Sequence, residues 1–350
     1  MNTVMQPLSR QTLDKAKIAY SCRRVQFGNS MTVITGNIVP SSGDLVLARV
    51  DVLGQHRGIE SKNGGRCNLF PGDQIIVCYG NRYAPDQFEA EVPKDLSPCS
   101  LVAAGGMASQ VLSQHMSMKT PTAITPIGLI GDSEGKPVNL VDWALPAIDW
   151  NGVMPHIISV LGTSMNAGKT TSAAYLIRGL KNAGFKVGAA KITGTGAPKD
   201  ANFLIDAGAY PVFDFTDAGY PSTYLLSTEQ IETILSTLTH HLAASCVDVI
   251  VLEIADGLFQ QETKALCLSH QFSKAVDGII FAASDPMGAA FGANWLREHK
   301  LPIVGISGLF TNSPLAIREV EEAINLPVFT LNTLNSDYIA NQIGLNPSIS

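Results

Sequence analysis

The residues Gly162-Thr163-Ser164-Met165-Asn166-Ala167-Gly168-Lys169-Thr170-Thr171 set glycines, a lysine and hydroxyls in the order G-T-x-x-x-x-G-K-T. That combination suits one chemistry, the holding of a phosphate chain. A glycine-rich turn lets successive backbone N–H groups curl round an anion, and a helix that follows offers its positive N-terminus to the same charge. Lys169 is then placed to reach the β and γ oxygens of a nucleotide, and the Thr170 hydroxyl to ligate Mg²⁺. The flanking sequence supports this setting. His156 to Leu161 is an apolar run of strand character, while Ser172 to Gly184 places Ala173, Leu176, Ile177, Leu180 and Ala183 on one helical face and ends at a glycine suited to a C-cap.

Other candidates stand at the ends of further apolar runs, where ligands of open α/β sheets bind. Lys191 opens Lys191-Ile192-Thr193-Gly194-Thr195-Gly196 and could hold an anionic substrate beside the γ-phosphate, with Thr195 orienting it. Glu253 ends the run Val249 to Leu252. A carboxylate at the end of a buried strand is costly unless it is paired or metal-bound, so Glu253 is a candidate for Mg²⁺. Asp256 follows it as a substrate contact. Asp200 and Asp206, and then Asp214 and Asp217, are further Mg²⁺ or substrate candidates, each equally at home as a cap or surface charge. Asn312, before a helix start at Ser313-Pro314, could read an adenine edge through its paired donor and acceptor, or simply make a turn.

The elements that must position these residues fall into two regions. From about Val25 to Leu145 short β segments such as Leu45 to Leu53 and Gln74 to Tyr79 alternate with breakers such as Pro71-Gly72-Asp73, which suggests a small barrel or sandwich. Arg57, Arg66 and Arg82 lie near its turns, where each could reach a phosphate or carboxylate or remain a solvated loop charge. From Pro155 onward apolar strands alternate with amphipathic helices, the pattern of a doubly wound, mainly parallel sheet covered on both faces. Expected strands are His156 to Leu161, Lys186 to Ile192, Pro211 to Phe215, Asp248 to Ile254, Gly278 to Ala283, Pro302 to Ser307 and Pro327 to Thr330. Ser227-Thr228-Glu229-Gln230 is a capping box, and Asp285-Pro286 and Ser313-Pro314 pair an N-cap with proline at the first helical position. The fold expected is therefore α/β: an N-terminal segment over residues 1–24, a β-rich domain over 25–150, and a P-loop domain over 151–350.

Composition narrows the class. With 24 lysines and arginines against 30 acidic residues, the net charge of −6 disfavours a general nucleic-acid binder, and the basic stretch Arg10 to Arg24 reads as a solvated terminal segment. No run approaches the roughly eighteen apolar residues of a membrane span, and Met1 to Ser30 lacks a signal-peptide core. The six cysteines are scattered without a C-x-x-C pair, which suits free thiols in a reducing cytoplasm. Cys267-Leu268-Ser269-His270 offers half a metal site with no second half.

On these motifs the region from Pro155 to Asn341 resembles the P-loop superfamily that contains dethiobiotin synthetase and the cobyrinic and cobyric acid amide synthases. Gly162 to Thr170 is similar to their G-T-x-x-x-x-G-K-[ST] loop. Lys191 to Gly196 resembles the substrate turn K-P-[IV]-x-[ST]-G with Ile192 in place of proline, and Glu253 to Leu258 resembles E-G-A-G-G-L with Ile254-Ala255-Asp256 substituted. The resemblance implies ATP- and Mg²⁺-dependent phosphorylation of a small carboxylate or carbamate and attack by an amine, a metal site of Thr170, Glu253 and one aspartate (Asp206 by spacing, Asp200 as rival), and a homodimer. Ser164 stands where partitioning-type ATPases carry a signature lysine, which disfavours a switch of that kind, and too little chain follows Thr330 for an amidotransferase domain. Two alternatives stay open: an N-acyltransferase whose loop grips the phosphates of acyl-CoA, and a nucleotide-gated binding or regulatory protein.

Overall fold

The computed structural model describes residues 3–345. Contacts divide the chain into two units: one comprises Met1–Leu145 with Thr195–Pro198 and Phe215–Leu225, and the other Pro146–Gly194, Lys199–Asp214 and Leu226–Ser350.

In the first unit the expected β segments close into a barrel. Leu45–Val52 pairs antiparallel with Gln74–Tyr79, which pairs parallel with Met107–Gln114; this strand pairs with Cys99–Ala103, which pairs with Thr122–Gly131, and that strand returns to Leu45–Val52. Strand periodicity explains the continuous apolar runs. Val46, Ala48, Val50, Ile75, Val77 and Tyr79 pack into one core, while Leu45, Leu47, Ile76 and Cys78 pack on the other face into a second. The second core draws on the N-terminal residues, so these are not a solvated tail. Val4–Pro7 pairs with Thr32–Thr35, and Leu8, Cys22 and Val25 are buried against the outside of the sheet. Arg23 and Arg24 are likewise withdrawn from solvent. Arg23 reaches Asp217 at 2.7 Å and lies 4.1 Å from the centroid of the Tyr20 ring, while Arg24 lies 3.6 Å from the same carboxylate and donates through Nε to the Trp143 carbonyl at 2.8 Å. Asp217 is therefore a structural counter-charge of the first unit.

The second unit is a six-stranded, all-parallel sheet in the order Val212–Asp214, Val187–Lys191, Val249–Glu253, His156–Gly162, Gly278–Ala282, Ile303–Ser307. The four central strands are almost wholly buried, as helical cover on both faces requires. The helix Lys169–Asn182 packs Ala173, Leu176, Ile177 and Leu180 onto this sheet and stops at Gly184, whose φ of 93° permits the reversal. Thr228–Ala244 begins with the predicted capping box, Ser227 accepting from the Gln230 amide and Gln230 from that of Ser227. Asp285 and Ser313 likewise cap Pro286–Glu298 and Pro314–Ala323. One expected strand is absent. Pro327 to Thr330 makes only a bridge between Val328 and Ile306, because Thr330 caps a helix at Leu331–Asn335 instead of continuing the edge. Among the described residues no helix is long and apolar enough to cross a membrane.

Candidate functional site

The loop from Gly162 to Thr171 leaves the carboxyl end of a central strand and enters the helix through left-handed Gly168, φ 97°. In the commonest form of this loop the first glycine precedes the second by five positions; here that position is Thr163, whose hydroxyl oxygen is buried without a partner. The loop is held from both sides by chain that cannot carry a side chain. A Cβ on Gly257 would lie 2.1 Å from the Thr163 carbonyl oxygen, and one on Gly308, φ 112°, would lie 2.4 Å from the Ala283 backbone and 2.7 Å from the Ala167 oxygen. Leu309 also donates its N–H to the Ala167 carbonyl at 3.2 Å. Packing therefore fixes the loop, with the orphan N–H groups of the helix start directed into it.

Lys169 is 6% exposed and donates to the Ser164 carbonyl at 2.6 Å, bent back across the mouth of the loop. Burial lowers its pKa, opposed by the negative charges of Glu253 and Asp256. Thr170 donates to Glu253 Oε1 at 2.7 Å. Glu253, 2% exposed, ends the adjacent strand, and its Oε2 is buried with no hydrogen-bond partner. Burial raises the Glu253 carboxyl, and Lys191 pulls against that rise.

Sheet register brings the lysine of the next strand to the same level. Lys191 stands opposite Glu253 on one side and Asp214 on the other, with its Nζ 4.0 Å from Glu253 Oε1 and hydrogen-bonded to Asp200. Burial alone would lower its pKa, but Glu253 and Asp200 outweigh it and hold the ammonium charged. Asp256 completes the group. It has φ 64° and is pushed up to about 6 by burial, against the pull of Lys169 and Lys191.

The structure thus gathers Lys169, Thr170, Lys191, Asp200, Glu253 and Asp256 at the carboxyl ends of the central strands. It does not bring Asp206 there. That residue is exposed near the end of the helix Pro198–Ala207, where it lines a separate cavity of about 270 Å³ with Tyr175, Arg178, Phe203 and Asn335. Asp200 in the first turn of the same helix is the aspartate that faces the cluster. Thr195 belongs to the first unit, where it is bridged to Ser222. Asn312 is exposed at the end of the short turn that starts at Gly308. The close packing of Gly257 and Gly308 on the loop has no counterpart in the sequence reading, and only their glycine identity could have signalled it.

Mg²⁺ fits these donors. Thr170 Oγ1 and Glu253 are hard oxygen ligands, and the unsatisfied Oε2 of Glu253 is a buried acceptor in need of a cation or donor. Among the described residues no group of three or more His, Cys, Asp or Glu side chains could hold a metal by itself. Mg²⁺ is commonly bound by one or two protein ligands plus phosphate oxygens and water.

No family model and no curated protein matches this chain. Among solved structures it is similar to the signal recognition particle receptor FtsY from Elizabethkingia anophelis in complex with GDP, at 15% identity and a TM-score of 0.38, covering 57% of this chain and 66% of that one. It is also similar to the signal recognition particle 54 kDa protein from Aeropyrum pernix in complex with GDP, at 20% identity and a TM-score of 0.36, over 56% of this chain and 48% of that one. A nucleotide-binding protein from Archaeoglobus fulgidus in complex with ADP matches at 14% identity and a TM-score of 0.36, over 55% of this chain and 89% of that one. The loop, its strand and helix, and the parallel sheet around them define the second unit as a P-loop nucleotide-binding fold joined to a β-barrel unit.

Proposed function

We propose that the protein is a Mg²⁺-dependent P-loop enzyme that transfers the γ-phosphoryl group of ATP to a small carboxylate or carbamate, a reaction of the ligase or kinase type. The observation that carries the reading is Glu253: a buried carboxylate bonded to the P-loop threonine, with one oxygen unsatisfied and a second lysine 4.0 Å away. Bound Mg²⁺ would neutralise phosphate charge in transit. The rest falls to the chain. The loop amides and Lys169 grip the phosphates, which requires Lys169 to leave the Ser164 carbonyl for the ligand. Lys191, kept charged by Glu253 and Asp200, orients an anionic acceptor, and Asp200 fixes the lysine rather than serving as the acceptor's own contact. Such catalysis is positioning and charge stabilisation, so it needs no cysteine or serine nucleophile.

Calorimetry with ATP, GTP and acetyl-CoA, each with and without Mg²⁺, tests the loop. The expected result is Mg²⁺-dependent binding of ATP, lost by an order of magnitude or more in Lys169→Ala. Tight acetyl-CoA binding with no nucleotide binding would overturn the proposal in favour of acyl transfer. Release of ADP is then followed across a panel of small carboxylates with and without amines; hydrolysis that no acceptor stimulates would instead identify a nucleotide-gated switch.

A further inference from the structure

The first unit contains a buried guanidinium with too few partners. Arg82 is 6% exposed, yet only its Nη2 is matched, donating to Gln87 Oε1 at 2.9 Å; Nε and Nη1 are buried with no hydrogen-bond partner. Nη2 carries two hydrogens, one on each edge of the planar fork. Whichever edge Gln87 occupies, the other keeps two parallel N–H donors, the geometry that matches a carboxylate or phosphate. Such a group is costly to leave unsatisfied in a protein interior, and its presence calls for a ligand or ion.

A second orphan lies beside it. His56 packs its ring against Phe88, with centroids 5.9 Å apart, and its Nδ1 is also buried without a partner. Burial, reinforced by the charges of Arg82 and Arg66, outweighs the raising influence of the Leu101 backbone and the Gln87 side chain and lowers the pKa of this imidazole to about 4, so it is neutral at physiological pH. Asp86 is the acidic group that acts on Arg82. Arg66 faces Glu60 across its ladder, so two arginines, one neutral histidine and two carboxylates leave the cluster with no net charge. Arg66 is exposed and His56, Asp86 and Gln87 are partly so, which puts one side of the cluster at the surface of the unit.

We propose that this cluster is an anion site of the barrel unit, in which the Arg82 fork receives the carboxylate of a small organic acid, His56 supplies a further polar contact and Arg66 stands at the entrance. With both arginines opposed by carboxylates, the cluster favours a monovalent carboxylate over a more highly charged phosphate. The site is independent of the P-loop and stands whether or not the phosphoryl-transfer reading holds.

The test is a titration of the full-length chain, labelled for histidine-ring NMR, with acetate and separately with inorganic phosphate at matched ionic strength. The His56 resonances should move saturably with acetate and at higher concentration with phosphate. Arg82→Met should weaken acetate binding by about ten- to a hundredfold, the loss that a charge-assisted hydrogen bond implies, and Arg82→Lys, which keeps the charge without the fork, should recover only part of it. Absence of a saturable shift in the wild-type chain, or equal affinity in Arg82→Lys, would overturn the site. Tighter binding of phosphate than acetate would overturn its assignment to carboxylates. Should Arg82→Met fail to fold, the wild-type and Arg82→Lys titrations decide the question.

Discussion

Replacing Lys191 by methionine removes the cation that register places opposite Glu253 while keeping the aliphatic stem. At 4.0 Å and an effective dielectric of about 20, the attraction between Lys191 and Glu253 is about 4 kcal/mol before desolvation is subtracted. The hydrogen bond to Asp200 adds to it, discounted because that carboxylate is 28% exposed. Removing one member of a buried pair costs about 3–5 kcal/mol, and the exposure of Asp200 brings the expected loss to the lower end, about 3 kcal/mol. Part of that cost is the aspartate left without its cation, so Asp200→Asn in the Lys191→Met background should restore stability. Urea denaturation of the four chains of this double-mutant cycle should give a coupling of about 1–3 kcal/mol. A coupling within about 0.5 kcal/mol of zero would show that the two residues do not share a site, and the account of how Lys191 is held would fail. Calorimetry on the same chains separates the functional part. If Lys191 serves the acceptor, Lys191→Met binds Mg²⁺–ATP within a fewfold of the wild type yet gives no acceptor-dependent ADP release.

Gly308→Ala should lower nucleotide affinity by about tenfold or more, because its Cβ would collide with the Ala283 backbone and the Ala167 carbonyl and displace the loop; unchanged binding by calorimetry would show that the loop does not depend on this packing. Arg23→Met should destabilise the barrel unit by about 1–2 kcal/mol in chemical denaturation, since it removes the 2.7 Å partner of Asp217 while Arg24 at 3.6 Å still opposes that carboxylate. His56 titrates near 4 in the folded chain against an ordinary value of 6.5. The unfolded chain therefore takes up this proton first, and stability should fall as pH drops from about 6.5 towards 4, by about 2 kcal/mol after allowance for the partly exposed ring. His56→Gln should flatten that part of the pH profile, which is measured by urea titrations at each pH.

What the sequence reveals follows from how local each constraint is. The loop from Gly162 to Thr171 is legible because strand, turn and helix start are consecutive, and the caps at Ser227, Asp285 and Ser313 are legible because each bond spans three residues. Glu253 is legible because its cost is set by its own strand. Pro327 to Thr330 has the apolar character of a strand, but Thr330 caps a helix, and the hydroxyl cap that ends the extended run at that point is as local as the run itself. The choice between Asp200 and Asp206 was not legible. Both lie on the helix Pro198–Ala207, and only the pairing of that helix's first turn with Lys191 selects Asp200.

The nine-residue separation of Lys191 and Asp200 also explains why the division of the chain escapes a reading by periodicity. Between these ion-pair partners the chain passes through Thr195–Pro198, which belongs to the barrel unit: Thr195 bridges Ser222 there, and Gly105 approaches the Gly196 carbonyl so closely that a Cβ would lie 1.8 Å from it. Phe215–Leu225 belongs to the same unit and brings Asp217 to Arg23 and Arg24. Alternating strands and helices identify a parallel sheet, but short turns between them carry no periodicity and can be taken into another core without altering the pattern. The signals that could have betrayed them were a pair of glycines at Gly105-Gly106, an acidic residue in a loop and a basic N-terminal stretch. Each has an ordinary local reading, and only long-range contact turns them into one packed surface.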